Sequence, residues 1–349
     1  GAWVLFGGAG PTDIDLSLGL AVSEGTEFAP PTTTHGNYAG QSVAGVGDVN
    51  GDGMDDVIVG SYYGSTNDYR GSVHVIYGQA GDFGNAAIDL DTISAGAGGY
   101  YIQGEDSNYY LGVSGGRAGD FNGDGISDML LGSQIGATPA AYIVYGESGA
   151  GTNLNLAGGI SAADGFRIST TSNGWADTLS GGGQDFNGDG VPDFALGNGN
   201  YGGLDGRTVL LYGDVGSLTL GTPPAGQGAV LDGSASEISG SSFSLAGDVN
   251  GDGQADLLVG ARTASNNAAS LSGSAYLIFG QAGIAASALL SSYTDGTLGF
   301  RVDGAAASGQ FGSSVDLSDV NGDGCADLLL GAPATTHGNV YVLYGGRAQ

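Results

Sequence analysis

The chain has 349 residues, 72 of them glycine, and sets 36 acidic residues against 7 basic ones for a formal net charge of −29 at pH 7. There is no lysine, and this balance excludes a basic stripe for nucleic acid and a polybasic segment for an anionic membrane. Glycines without a three-residue period exclude collagen, 41% hydrophobic content excludes a disordered acidic tail, and no apolar run approaches the roughly 20 residues that span a bilayer.

In chain order, Trp3 to Phe6 reads as a strand closed by Gly7, and Ile14 to Leu18 as a looser one. The chain opens without a start Met or a charged leader, so a removed signal peptide or a piece of something longer is expected. Two strings then recur. The first is DVNGDGMDD from Asp48, DFNGDGISD from Asp120, DFNGDGVPD from Asp185, DVNGDGQAD from Asp248 and DVNGDGCAD from Asp319, at intervals of 72, 65, 63 and 71 residues. The second is an apolar run ending in an aromatic and a glycine, with the glycines at Gly7, Gly78, Gly146, Gly213, Gly280 and Gly345. Their common period defines one repeated unit.

Each unit reads as four short strands. A small-residue strand such as Gln41 to Val46 or Phe311 to Leu317 precedes the Asp loop, and an apolar run closed by glycine follows it, starting at Val57, Met129, Phe194, Leu257 and Leu328. An alternating strand with a terminal aromatic comes next, from Val73 or Ala275 for example. The fourth segment runs from Ile88 to Leu90 into Gly99 to Gly104. Helix leanings are confined to Ile284 to Leu290. The pattern predicts an all-β chain, a β-propeller of four-stranded antiparallel blades with hairpin metal loops. Five blades are visible, with a half blade at 1–37 followed by units 38–109, 110–174, 175–237, 238–308 and 309–349. A nonapeptide β-helix has too short a period to compete. The last unit lacks a fourth strand, which Ile14 to Leu18 is expected to supply. Trp3 to Phe6 is then spare, either because a blade is partly missing or because the strand pairs with another molecule.

Within the loop, positions 1, 3, 5 and 9 are Asp, Asn, Asp and Asp in all five copies, and position 6 is Gly. Alternating oxygen donors on a tight turn suit a hard cation, calcium above magnesium. Position 7 varies too much for a shared side-chain role and is expected to offer its backbone carbonyl. The candidate ligands for five calcium ions are Asp48, Asn50, Asp52, Met54 and Asp56; Asp120, Asn122, Asp124, Ile126 and Asp128; Asp185, Asn187, Asp189, Val191 and Asp193; Asp248, Asn250, Asp252, Gln254 and Asp256; and Asp319, Asn321, Asp323, Cys325 and Asp327. Plain Asx turns would not repeat a four-acceptor pattern five times. An EF-hand would need an acid at position 12 and a following helix, whereas Val59, Leu131, Leu196, Val259 and Leu330 stand there.

The unit resembles the FG-GAP repeat of integrin α subunits and of many secreted bacterial proteins. Phe311-Gly312 and Gly331-Ala332-Pro333 preserve the two namesake elements literally, and the other units carry degenerate versions such as Tyr38-Ala39-Gly40 and Gly60-Ser61. The resemblance implies a propeller, usually seven-bladed, with calcium between the first two strands of a blade. Absence of lysine and of Asn-X-Ser/Thr sequons fits a bacterial source.

No nucleophile elbow, P-loop or His-Glu-X-X-His is present, so no enzymatic activity is expected. The lone Cys325 excludes a disulfide framework and a cysteine-built zinc site, and reads as a passive thiol. His74 reads as a packed strand residue. His35 and His337 share the pentapeptide Thr-Thr-His-Gly-Asn and could meet where the ring closes. Opposite the Asp loops, Ser61 to Gly71, Glu105 to Tyr110 and Asn198 to Tyr201 are rich in Tyr, Asn and Asp, which suits a protein or carbohydrate ligand. The expected function is a calcium-stabilised adhesion, recognition or structural module, secreted or on the cell surface, with self-association as a further option. The alternative is the accessory propeller of a secreted hydrolase or phospholipase whose catalytic part lies outside this chain.

Overall fold

The computed structural model describes residues 2–5, 25–30, 38–62, 69–80, 87–96, 98–107, 109–133, 140–170, 178–213, 218–220, 223, 226–266, 269–335 and 337–346. Among them no α-helix occurs; strands and a few 3₁₀ turns make up the fold. Two compact units are distinguished, one of residues 1–116, 125–136 and 142–166, the other of 117–124, 137–141 and 167–349.

The apolar runs after each Asp loop become the strands Asp56–Ser61, Asp128–Ser133, Asp193–Asn198, Asp256–Ala261 and Asp327–Ala332. The Asp loops join them as hairpins to preceding strands such as Ala39–Gly47 and Ser239–Gly247. Third strands Ser72–Ile76, Arg207–Leu211 and Ser274–Ile278 pair antiparallel with the second, and fourth strands Gly98–Gln103, Gly228–Asp232 and Gly299–Asp303 with the third. The fifth sheet is thus a plain four-stranded meander. The final sheet contains Val315–Ser318, Asp327–Ala332 and Asn339–Leu343.

In the second unit these sheets stack face to face. Alternation along Asp256–Ala261 sends Leu257 and Val259 into a core with Leu210, Phe243 and Leu245, and Leu258 into another with Phe311, Val315 and Leu330. Both faces are buried, so the strand reads as a continuous apolar run. The close approach explains the namesake glycines. A Cβ on Gly260 would lie 2.1 Å from the Gly312 carbonyl oxygen, and one on Gly60 2.1 Å from that of Gly112. The closing glycines Gly60, Gly197 and Gly260 therefore face Gly112, Gly240 and Gly312 at the start of the next sheet.

The fourth segment departs from expectation. Ala87–Asp89 does not join the sheet of its own repeat; it pairs parallel with Gly25–Ala29, the sheet before. Leu154–Asn155, Leu218–Leu220 and Ser287–Leu289 do the same to Gly98–Gln103, Gly165–Thr170 and Gly228–Asp232. A 3₁₀ turn follows in three cases, Leu90–Thr92, Leu156–Gly158 and Leu290–Tyr293, and buries its first leucine. Ile284 to Leu290 accordingly contains a strand and a turn, not a helix. Ala2–Leu5 forms the expected first strand, and its antiparallel partner is Gly25–Ala29. Ile14 to Leu18, and with it the expected ring closure, lies outside the described residues, as does His35.

Candidate metal centre

The loop at Asp248 shows how this sequence closes on itself. One carboxylate oxygen of Asp248 accepts from the Gly251 and Asp252 N–H groups at 2.7 and 3.2 Å, the other from Gly253 N–H at 2.7 Å. The Asn250 side-chain oxygen accepts from Asp252 N–H at 2.9 Å, and its amide donates to the Asp252 carboxylate at 2.8 Å. Asp252 also accepts from Gln254 N–H at 2.9 Å. The same bonds recur in the loops at Asp48, Asp185 and Asp319. Position 7 acts through its backbone: Met54, Val191, Gln254 and Cys325 each donate an N–H to the position-5 carboxylate. In the loop at Asp120, Asn122 and Asp124 make the position-3 to position-5 bonds.

Position 9 has a second task. Asp56, Asp128, Asp193, Asp256 and Asp327 are fully buried. In Asp256 one oxygen accepts from Val249 N–H at 2.7 Å and the other from Gly280 N–H at 2.8 Å. Gly280 is the glycine after the aromatic of the third strand, and Gly78, Gly146, Gly213 and Gly345 donate to Asp56, Asp128, Asp193 and Asp327 in the same way. The two recurring strings are thus two ends of one hydrogen bond. Burial raises the carboxyl pKa of Asp56 to about 6, and of Asp193 and Asp256 to about 7, with neighbouring loop carboxylates adding to the rise.

Consecutive loops are laced together. The position-1 carbonyls of Asp48, Asp185 and Asp248 accept from the position-8 N–H of Ser127, Ala255 and Ala326 in the next loop, at 2.8–2.9 Å. Pro192 stands at the corresponding position after Asp120 and has no N–H to give. Position 4, like position 6, is a glycine in all five loops, and the turn depends on both. Both are left-handed in every loop, with φ +74 at Gly51 and +90 at Gly53, for example. The invariant Asn-Gly-Asp-Gly run carried that signal.

Among the described residues, no group of three His, Cys, Asp or Glu side chains forms a ready cage for an ion. The donor set nonetheless suits a hard divalent cation. Each loop brings three carboxylates and one amide oxygen into one turn. A carboxylate has about four acceptor sites, and the bonds above occupy two or three of them. His74 is buried in its strand, its ring 6.5 Å from that of Tyr101. His337 is exposed.

Family comparison agrees with the repeat. The FG-GAP repeat model matches residues 39–76, 239–277 and 311–343. Integrin alpha pat-2 of Caenorhabditis elegans is 30% identical over 210 residues, 55% of this chain and 16% of that protein, and its Caenorhabditis briggsae counterpart 31% over 209 residues, also 55% and 16%. Phosphatidylinositol-glycan-specific phospholipase D of Mus musculus is 38% identical over 104 residues, 28% of this chain and 12% of that protein. The chain therefore spans a small part of the relatives it matches.

Proposed function

This chain is an integrin-like FG-GAP repeat protein, and on that premise we propose that it is a calcium-stabilised, non-catalytic adhesion or recognition module acting outside the cell or on its surface. The observation that carries the reading is the fivefold Asp loop, whose buried ninth residue ties the loop to the third strand of its sheet. The residues that would hold calcium are those at positions 1, 3, 5 and 9, with the position-7 carbonyl. Bound there, the ion would offset two of the three negative charges that otherwise repel one another in a single loop. Loops of moderate affinity would stay filled where calcium is millimolar, which supports a working compartment outside the cell. No helix among the described residues is long and apolar enough to cross a membrane.

The match to the phospholipase favours a second reading, an accessory propeller of a secreted enzyme whose catalytic part lies elsewhere. Both readings need calcium, so one experiment tests their common core. Thermal melting in calcium is expected to give a midpoint several degrees above that in excess chelator. Equal midpoints would remove calcium from the account. Attachment of a catalytic domain in the full-length protein would decide for the second reading. Size-exclusion chromatography tests self-association, and a strict monomer at high concentration excludes it.

A further inference from the structure

Three described tyrosines at one end of the first Asp hairpin have backbones that side chains seldom adopt. Tyr38, Tyr69 and Tyr110 lie at φ +66, +53 and +52. Tyr38 precedes Ala39–Gly47 and Tyr62 follows Asp56–Ser61, so both stand at the end of that hairpin away from its Asp loop. The rings form a continuous run. Tyr38 and Tyr62 centroids are 5.8 Å apart, Tyr62 and Tyr110 6.0 Å, and Tyr110 and Tyr69 6.1 Å with the last two nearly parallel at 16°. Tyr38 is 67% exposed and Tyr69 39%.

The repeat supplies an internal control for these rings. The Tyr69 carbonyl accepts from Tyr110 N–H at 3.1 Å, and the Arg70 carbonyl from Leu111 N–H at 3.0 Å. Leu204 with Ile238, and Leu271 with Gln310, make the same junction with the same bonds and the same left-handed backbones. The scaffold therefore holds two side chains side by side at each of these junctions, and it accepts Leu, Ile or Gln. The equivalent positions at the other two junctions carry no tyrosine. Tyrosine at 69 and 110, in one run with Tyr38 and Tyr62, sets this junction apart from the other two.

We propose that Tyr38, Tyr62, Tyr69 and Tyr110 form a binding platform for neutral carbohydrate, an inference that rests on the reading of this chain as a recognition module. A sugar ring has an apolar C–H face and a polar rim. A tyrosine offers the complementary apolar face and hydroxyl tip, held here at little entropic cost. The net charge of −29 disfavours acidic glycans. Four partly exposed phenol rings offer on the order of a few hundred Å². A stable protein interface takes about 800 Å² per partner, so the patch suits a small ligand better than a protein.

The test is affinity electrophoresis of the calcium-saturated protein in native gels containing a soluble β-glucan, mannan, galactomannan or xylan. At least one polysaccharide is expected to retard the wild type, and Tyr69→Leu with Tyr110→Ile to weaken that binding at least tenfold. This double variant copies the side chains of the junction at Leu204 and Ile238, so its fold is expected to persist, with its calcium-dependent melting as the check. Tyr38→Ala provides a second, single-site variant on an exposed ring, with the same expected loss. No retardation by any of the four polysaccharides overturns the proposal, as does equal retardation of wild type and both variants. Loss in the variants of binding to a purified protein partner, with no glycan bound by the wild type, also overturns it and assigns the patch to protein. A chelator-insensitive melt would sink the calcium reading alone and leave the gel result interpretable.

Discussion

The position-9 aspartates show how one residue type serves two demands. Each is buried, Asp56, Asp256 and Asp327 accept two backbone N–H groups and Asp193 three, and in Asp56, Asp193 and Asp256 burial is the largest cause of a pKa raised to about 6 or 7. A carboxyl whose folded pKa lies above its unfolded value of 3.8 stabilises the fold at low pH, and that contribution is lost as pH rises through the folded value. In chelator the protein is therefore expected to melt at a higher temperature at pH 5 than at pH 8. Saturating calcium should reverse the order, because the ion binds the ionised form. Calorimetry at the two pH values checks this, and a chelated protein more stable at pH 8 would contradict it. Substitution separates the two demands. Asp256→Asn keeps one acceptor oxygen for two donors and is expected to cost about 1–3 kcal/mol with or without calcium. Asp252→Asn, on the exposed rim of the loop, is expected to lose chiefly the calcium-dependent increment in the same melts.

Among the strands, the contact that fixes sheet spacing is glycine against glycine. Gly260→Ala would drive its Cβ to 2.1 Å from the Gly312 carbonyl, and a cost of about 3 kcal/mol or more is expected because backbone, not a flexible tip, must move. Gly253→Ala meets nothing within 4 Å, and its left-handed φ of +93 alone sets the cost, about 1–2 kcal/mol. Urea midpoints at constant slope would rank the two, and a larger loss for Gly253→Ala would refute this account of the interface. The parallel strand that four of the repeats lend to the sheet before them works in the same direction. It makes neighbouring repeats share hydrogen bonds as well as apolar faces.

For the chain as a whole, the acidity has a local explanation. Three carboxylates in each of five loops account for fifteen of the 36 acids. Five bound calcium ions, at two charges each, would bring the formal charge from −29 to −19. Native mass spectrometry is expected to count five ions per chain, and a preparation saturating at two or fewer would break the equivalence of the loops. Because position 1 of one loop accepts from position 8 of the next, occupancy of one loop should stiffen its neighbour.

Repetition makes most of this legible in the sequence. The strands after each Asp loop, the third strands and the loop ligand pattern follow from short-range rules, since turn chemistry and apolar runs are written within a few residues. The sequence alone therefore determined an all-β repeat with five equivalent acidic hairpins. It did not determine partners. Ile88 to Leu90 reads as the start of its own unit's fourth strand because period shows that a segment is extended, not which edge it joins. Pairing to Gly25–Ala29 is a long-range choice. Likewise the recurring aromatic-glycine string carries no mark that its N–H meets a buried aspartate, a bond that exists only once the third strand is laid beside the second. The tyrosines at 38, 62, 69 and 110 are plain in the sequence as residues. Only the tertiary structure brings them together, because left-handed backbones at the junctions between repeats, set by hydrogen bonds between distant segments, bring their rings into one run.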